Sequence, residues 1–139
     1  MPIAPCRRIL VIESYPDAGA ALCALLETWG HNAVLAESGG QGIRLALKGS
    51  LDVIIVDLGL DDMDGCKVVQ LIRAGPSDTV PVIIAYSGSP QREAGALHAG
   101  CDAFILKPAI EELRTLVGLA RADVRHYTAY AGPALARRR

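Results

Sequence analysis

Five short apolar segments recur along the chain, and they constrain its fold more than any other feature. The segments are residues 9–12, 33–36, 53–56, 82–85 and 103–106, of which 33–36 is the weakest candidate. None of them alternates strictly with charged residues, and continuous apolar runs of this length are typical of strands buried on both faces of a parallel sheet. The sequence therefore predicts a parallel sheet of five strands.

Segments with helical periodicity lie between and after these strands. In the first, Ala18, Leu22 and Leu25 fall on one apolar stripe, and Pro16 suits the first turn of a helix. Four similar segments follow the other strands, so we predict five helices. Strand–helix units of this kind connect with right-handed crossovers and place helices on both faces of the sheet. The predicted class is a doubly wound α/β fold.

Charge and composition exclude several classes of protein. The 139 residues suit one domain, and 14 basic side chains nearly balance 15 acidic ones, so we expect no direct DNA binding. No apolar run reaches the roughly 18 residues that a membrane span requires. The four cysteines are scattered without a Cys-x-x-Cys pair, which is typical of reduced thiols in a cytoplasmic protein.

Polar side chains follow four of the predicted strands at the edge where doubly wound folds bind their ligands. These side chains are Glu13, Ser14, Asp57, Asp61, Asp62, Asp64, Tyr86, Ser87 and Lys107. Carboxylates, a hydroxyl and an ammonium suit the transfer of a phosphoryl group to a carboxylate, with a divalent cation to neutralise the charge. Asp57 directly follows the most continuously apolar strand, so we predict it as the nucleophile that forms an acyl phosphate.

Two longer motifs resemble one known family, the receiver domain of bacterial two-component response regulators. Residues 52–65, Asp-Val-Ile-Ile-Val-Asp-Leu-Gly-Leu-Asp-Asp-Met-Asp-Gly, look like its phosphoacceptor segment. Residues 99–108, Ala-Gly-Cys-Asp-Ala-Phe-Ile-Leu-Lys-Pro, resemble the segment that ends in its Lys-Pro pair. The resemblance covers residues 7–120 and implies a flavodoxin-like strand order, 2-1-3-4-5. Residues 121–139 then remain as a basic tail, partly helical or disordered.

The resemblance also implies roles around the acceptor. Asp57 would take a phosphoryl group from a phosphohistidine on a sensor histidine kinase or phosphotransfer protein. Lys107 would pair with that group or with the Asp57 carboxylate, and Pro108 would hold the loop through a cis peptide bond. Ser87 would supply a hydroxyl to the phosphoryl group. Phe104 occupies the position of a ring that moves between two states in many relatives, with plain core packing as the alternative.

The metal site departs from the family pattern at one position. By resemblance, Mg²⁺ would be reached by Glu13 through water, by the Asp57 carboxylate and by the backbone carbonyl of Gly59. The family carries a second acid after Glu13, usually the direct metal ligand, where this chain has Ser14. A neutral hydroxyl removes one negative charge, so the sequence predicts weakened Mg²⁺ binding.

The end of the fourth strand leaves two candidates for the hydroxyl. Counting from Pro81, the usual hydroxyl position falls on Tyr86, whereas the Ser87-Gly88 pair resembles the family's hydroxyl followed by a small residue. We predict Ser87, with Tyr86 as the alternative that would crowd the phosphoryl pocket.

The expected function is a stand-alone receiver, not an enzyme beyond its self-catalysed phosphotransfer and dephosphorylation. It would signal to an unknown downstream protein, or form a homodimer, through the face of the fourth helix, fifth strand and fifth helix. The last helix is expected to extend through Val124 and Tyr127 and to break at Gly132-Pro133. The arginines at 137–139 are expected to be solvated, with contact to an acidic partner as the alternative.

Three other functions compete with this interpretation. A pseudo-receiver, a binding module without the phosphorylation switch, is suggested by Ser14. A hydrolase of the haloacid dehalogenase type is disfavoured because Gly59 stands where that family carries its general acid. A flavodoxin-type flavin carrier is disfavoured because aromatic residues near the strand ends are few. The three histidines, His31, His98 and His126, show no catalytic or metal spacing and are expected at the surface.

Overall fold

The computed structural model describes residues 5–76 and 80–137. The strands are β1 (Arg8–Ile12), β2 (Asn32–Ala36), β3 (Val53–Val56), β4 (Val82–Ser87) and β5 (Ala103–Leu106). The helices are α1 (Pro16–Thr28), α2 (Gly39–Leu47), α3 (Gly65–Ala74), α4 (Glu93–Ala99), α5 (Ile110–Val117), α6 (Arg121–Tyr130) and α7 (Ala134–Arg137). A single 3₁₀ turn, Pro90–Arg92, leads into α4.

All five strands are parallel, in the order β2-β1-β3-β4-β5, which confirms the predicted doubly wound sheet. Ile12 of β1 lies beside Val56 of β3, which lies beside Ala85 of β4, so β1 and β3 end level with one another while β4 continues to Ser87. The backbone pairing continues one residue further, because the Asp57 N–H donates to the Ile12 carbonyl at 3.0 Å. Loops therefore leave the sheet from one common edge.

Two layers of helices cover the sheet. One hydrophobic cluster joins it to α2, α3 and α4, and the other joins it to α1, α5 and α6. Every residue of β3 and β5 is buried, which explains why their sequences do not alternate. The edge strand β2 is only partly buried, and Val34 is exposed, so its apolar signal is the weakest of the five.

The described part of the chain contains seven α-helices, two more than the five predicted. The additional pair, α6 and α7, lies in the segment that the sequence marks as a basic tail. The prediction that the last helix continues through Val124 and Tyr127 is wrong, because α5 ends at Val117 and a separate helix begins at Arg121. Gly132 adopts a φ of 80° between α6 and α7, at the predicted break.

A buried carboxylate connects the first residue of α6 to the sheet. Asp102, whose side chain is 2% exposed, accepts hydrogen bonds from Arg73 at 2.8 Å and Arg121 at 2.9 Å. It also accepts one from the Ile83 N–H at 2.9 Å. The carboxylate thereby joins α3, β4 and α6 at the edge of the sheet opposite Asp57. Val124 on α6 is fully buried in the same region.

Arg137 and His31 differ from the solvated positions predicted for them. The Arg137 side chain is 9% exposed, because it lies between acidic residues of α4 and α5. His31 is 6% exposed, and its Nδ1 accepts a hydrogen bond from the Arg7 N–H at 3.0 Å. Arg138 and Arg139 lie outside the described residues. No helix in 5–76 or 80–137 is both long enough and apolar enough to span a membrane.

Candidate functional site

Three charged side chains from three strand ends meet at the common edge of the sheet. Glu13 follows β1, Asp57 follows β3 and Lys107 follows β5. The Lys107 Nζ donates to the Glu13 Oε1 at 3.3 Å and lies 3.8 Å from the Asp57 Oδ1. The peptide bond between Lys107 and Pro108 is cis, as predicted. The structure thus brings these three predicted site residues together, with the Lys107 ammonium group next to the two carboxylates.

The cluster contains two acidic side chains and only one basic side chain. Burial, together with the hydrogen bond and charge of the adjacent Asp57, raises the pKa of Glu13. Lys107 acts in the opposite direction, because its charge favours the ionised Glu13. One ammonium faces two carboxylates, so a further cation or a proton would lower the repulsion between Glu13 and Asp57.

In the family pattern, the residue at position 14 is predicted to bind the metal directly. In the structure, the Ser14 side chain binds a backbone group of the protein instead. Its hydroxyl oxygen accepts a hydrogen bond from the backbone N–H of Asp61 at 3.0 Å. This bond ties the β1–α1 loop to the β3–α3 loop. Ser14 therefore contributes a loop contact and adds no negative charge to the site.

Two of the acidic residues grouped with Asp57 in the sequence cap helices. Asp62 accepts hydrogen bonds from the N–H groups of Gly39 and Gly40 at 2.8 and 3.0 Å, and these bonds lower its pKa. Asp64 is the N-cap of α3 and accepts from the Cys66 N–H at 2.7 Å. These two carboxylates hold the loop around Asp57 and do not face it.

Asp64 also forms an ion pair with Arg92, a residue that the sequence analysis does not include in the site. The Arg92 Nη2 lies 2.7 Å from both Asp64 carboxylate oxygens. Although burial acts to raise the pKa of Asp64, the Cys66 N–H and the Arg92 guanidinium together hold it below its usual value. Arg92 is the last residue of the 3₁₀ turn before α4, and nothing in the sequence marks that turn as close to α3.

The residues present can hold a hydrated Mg²⁺ ion but do not form a dense acidic cage. Within the described residues, no group of three or more His, Cys, Asp or Glu side chains is positioned to bind a metal. Glu13 and Asp57 offer two carboxylates that lie next to each other. Mg²⁺ in proteins commonly uses one or two carboxylates and keeps several waters, so this donor set fits it.

Tyr86 and Ser87 point to opposite faces at the end of β4. Ser87 shares a face with Ala85 and Phe104, and its hydroxyl oxygen accepts a hydrogen bond from the Ser89 N–H at 3.1 Å. Tyr86 faces the side of Lys107, whose Nζ lies 5.4 Å from the centre of its ring. Tyr86 is thus the β4 side chain that borders the charged cluster, a position that counting from Pro81 also indicates.

An apolar groove of about 240 Å³ opens beside the charged cluster, between α1 and α5. Its lining residues include Ala18, Ala21, Leu22, Leu25, Tyr86 and Ile110, with Glu13, Asp57 and Lys107 at one end. Ala18 and Ala21 are exposed, so the groove is reached from solvent along α1. An apolar surface of this kind next to reactive polar groups is typical of a binding site.

Phe104 is buried in the layer on the α4 side of the sheet. Its side chain is 1% exposed and packs within the hydrophobic cluster that contains α3 and α4. Its backbone carbonyl accepts a hydrogen bond from the Arg137 Nη2 at 2.7 Å. Phe104 therefore contacts helix α7 through its backbone carbonyl. Along the chain it lies three residues before Lys107 of the candidate site.

Comparison with known proteins assigns the chain to a family. The response regulator receiver domain matches residues 9–118, and the chain belongs to this family. It is 30% identical over 107 residues to the protein PilH of Pseudomonas aeruginosa, covering 76% of this chain and 88% of PilH. It is 35% identical over 124 residues to the transcriptional regulatory protein KdpE of Mycobacterium tuberculosis, covering 88% of this chain and 53% of KdpE.

A solved structure agrees with the fold. The receiver domain of sensor histidine kinase PA1611 from Pseudomonas aeruginosa, with a magnesium ion coordinated in its active site cleft, is 27% identical with a TM-score of 0.74. The match covers 81% of this chain and 95% of that one. The chain spans most of PilH but only about half of KdpE.

Proposed function

We propose that Asp57 is the phosphoacceptor of this receiver domain. The observation that carries the proposal is the juxtaposition of Asp57 with Lys107 and Glu13 at the end of β3, in a chain of this family. An Asp57 oxygen attacks the phosphorus of a phosphohistidine, the P–N bond breaks, and the imidazole keeps the electron pair and gains a proton. The product is an acyl phosphate, whose added charge lies next to Lys107.

Mg²⁺ is the proposed cofactor of this transfer, held by Glu13, Asp57 and the Gly59 carbonyl. A divalent cation supplies charge neutralisation for the transferring phosphoryl group. Ser87 is proposed to give its hydroxyl to that group by turning toward the site at the end of β4, because its acceptor role toward the Ser89 N–H leaves the hydroxyl proton available to donate. Tyr86, which borders the charged cluster, is the alternative donor. Phe104 is proposed to couple the site to the α4 side of the sheet.

The donor is proposed to be a histidine kinase or phosphotransfer protein that docks along the groove between α1 and α5. The groove ends at Asp57 and Lys107, so an apolar side chain lying on Ala21 and Leu25 would bring its neighbours to the acceptor. The downstream partner is proposed to be another protein, and the chemistry of the domain to be limited to self-catalysed phosphotransfer and dephosphorylation.

A direct test uses a small phosphodonor. Intact-mass measurement after incubation with acetyl phosphate and Mg²⁺ should show one added phosphoryl group, which hydroxylamine removes as expected for an acyl phosphate. Asp57→Asn should show no adduct, and Lys107→Ala should lose most of the adduct while remaining folded. An adduct that persists in Asp57→Asn would place the acceptor elsewhere.

The pseudo-receiver is the second candidate, and one observation favours it. The Ser14 hydroxyl is engaged by the Asp61 N–H, so the family's direct metal ligand has no substitute at this position. If the native chain gains no phosphoryl group at any Mg²⁺ or Mn²⁺ concentration, and binds no beryllofluoride, this second function replaces the first.

A further inference from the structure

The apolar groove between α1 and α5 reaches down to the sheet. Its lining includes Val11 of β1 and Ile55 of β3, each 1% exposed and part of the hydrophobic cluster on that side of the sheet. On α1, Ala18 and Ala21 line the groove with single methyl groups one helical turn apart, and both residues are exposed. The groove is therefore a gap in the helical layer and not a flat patch on its surface.

The size and walls of the groove suit a compact apolar group. Its volume of about 240 Å³ lies just below the roughly 300–1,000 Å³ of pockets that hold drug-sized ligands. Leu22, Leu25 and Ile110 supply further apolar wall. An apolar group that enters the groove leaves water for this wall, which is favourable through the hydrophobic effect.

The polar end of the groove carries an excess of negative charge. Its charged side chains there are Glu13, Asp57 and Lys107. The Lys107 Nζ donates to the Glu13 Oε1 at 3.3 Å, but it lies 3.8 Å from the Asp57 Oδ1, which is too far for a hydrogen bond. The Glu13 and Asp57 side chains are 10% and 20% exposed, so a ligand in the groove can reach both carboxylates.

The apolar walls and the charged end together specify an amphipathic cation. A ligand with a carboxylate or phosphate group would be repelled by the two carboxylates, and a neutral ligand would leave their excess charge unbalanced. An ammonium group brings one positive charge and several N–H donors. Its interaction with carboxylates is stronger at a partly buried position than in bulk water. A hydrated metal ion satisfies the charge but makes no use of the apolar walls.

We propose that the apolar groove binds a small organic ammonium ion, whose nitrogen lies beside the Glu13 and Asp57 carboxylates and whose apolar body lies on Leu22 and Leu25. A ligand in this position covers Asp57 and uses the same carboxylates as Mg²⁺. An occupied groove therefore opposes metal binding and phosphorylation, a consequence that rests on the proposed function. The groove gives the domain a small-molecule input that is separate from its phosphodonor.

The first experiment compares three ligands with the same aromatic body on the full chain, by ¹H–¹⁵N NMR titration. 2-Phenylethylammonium should give saturable shifts at amides of α1 and at the residues that follow β1 and β3. Its neutral counterpart, 2-phenylethanol, should bind at least about tenfold more weakly, and the anion 3-phenylpropionate should not bind. Equal affinity for the ammonium and the alcohol overturns the proposal, and so does the absence of ammonium binding at millimolar concentration.

Variants then locate the site. Ala21→Leu fills the gap from α1 and should weaken ammonium binding at least about tenfold, because the apolar body loses its space. Ala24→Leu is the matched control, since Ala24 is exposed on the same helix outside the groove lining, and it should keep the wild-type affinity. Glu13→Gln should weaken binding of the ammonium but not of 2-phenylethanol. Equal affinities for the Ala21→Leu and Ala24→Leu chains overturn the proposed position.

A second groove-filling variant guards against misfolding of the first. Ala18→Leu closes the same groove one turn earlier on α1 and should weaken ammonium binding in the same way. Circular dichroism reports whether each variant keeps the fold. Wild-type affinity in a folded Ala18→Leu chain would contradict the proposal even if Ala21→Leu does not fold.

The effect on phosphorylation is tested separately on the wild-type chain. Saturating 2-phenylethylammonium should slow the gain of one phosphoryl group from acetyl phosphate and Mg²⁺, measured by intact mass. Ethylammonium, which has the amine without the aromatic body, should not slow it and controls for reaction of the amine with the phosphodonor. An unchanged rate with the groove occupied overturns the competition and leaves the proposed function standing. A ligand-free chain that gains no phosphoryl group contradicts the proposed function, while the titrations still decide whether the groove binds an ammonium ion.

Discussion

The identity of the residue at position 14 affects the charge of the candidate site. Ser14 gives its oxygen to the Asp61 N–H, so the cluster of Glu13, Asp57 and Lys107 carries two carboxylates and one ammonium. A cation that binds there meets less negative charge than a third carboxylate would provide. We therefore expect the metal affinity of this chain to depend on position 14, although among the described residues Ser14 forms no hydrogen bond with Asp57 or Lys107.

Ser14→Asp is expected to tighten Mg²⁺ binding by roughly tenfold, because an added carboxylate near the site strengthens its attraction for a divalent cation. Isothermal titration calorimetry with MgCl₂ measures the change. Ser14→Ala is the matched control, since it removes the same hydroxyl without adding charge, and it should leave the affinity near that of the wild type. Equal affinity for the Asp and Ala variants would mean that this position does not reach the metal.

The charged cluster could be predicted from the ends of the strands alone. The orientations of the side chains next to it in sequence could not be predicted in this way. Glu13, Asp57 and Lys107 each follow a predicted strand, and parallel strands of similar register bring such residues together. The capping roles of Asp62 and Asp64 depend on the path of the β3–α3 loop, which no local pattern specifies. The side of the sheet on which the Tyr86 side chain lies depends on the extent of β4, which ends two residues beyond the predicted segment.

At the scale of elements, the β3–α3 loop owes its tight path to a glycine. A Cβ atom at Gly65 would lie 2.5 Å from the Asp57 carbonyl oxygen and 2.6 Å from the Leu58 Cα. Both are backbone atoms, so the loop itself would have to move to admit a side chain. The Met-Asp-Gly ending of the motif thus has a steric cause, the close approach of α3 to the residue that follows β3.

Gly65→Ala is expected to destabilise the fold by about 1–3 kcal/mol, the usual cost of a forced backbone shift in a packed region. Urea unfolding followed by circular dichroism gives this value. Gly59→Ala in the same loop is the control, because within residues 5–76 and 80–137 no atom apart from Gly59 and its chain neighbours lies within 4 Å of its Cβ position. This variant should unfold at nearly the wild-type urea concentration. Similar losses in both variants would show that loop flexibility, and not close contact, is responsible.

Helices α1 to α5 and the sheet follow from apolar periodicity, whereas α6 does not. Its first residue, Arg121, is bonded to Asp102, which lies 19 positions earlier in the chain and is buried beside the paired strands β4 and β5. The same holds for Arg137, whose partners come from α4, β5 and α5. Long-range ion pairs of this kind leave no periodic signal in the sequence.

At the scale of the whole molecule, His31 makes stability depend on pH. Burial, with a smaller contribution from the charge of Arg7, lowers the pKa of His31 below its ordinary value of 6.5. The folded chain therefore binds fewer protons than the unfolded chain at a pH just below that value. Stability contributed by the neutral imidazole is present above the unfolded-state pKa and is lost as the pH falls toward the folded-state pKa.

The urea midpoint of the wild-type chain is expected to be lower at about pH 5.5 than at about pH 7.5 because of this linkage. His31→Asn keeps an acceptor near the Arg7 N–H but cannot gain a proton, so it should reduce the difference between the two midpoints. His98→Asn, at an exposed position on α4, is the control and should keep the wild-type difference. A difference that is unchanged in His31→Asn would assign the pH dependence to other groups.

The anchoring of α6 by Asp102 has a consequence for the short helix α7. Only residues 131–133 separate the end of α6 from α7, so an α7 that detaches remains tethered close to Glu93 and Glu112, to which it binds. A short tether of this kind corresponds to an effective local concentration in the millimolar range. The contacts of Ala134 and Arg137 are therefore expected to re-form after each local opening without any refolding of the sheet.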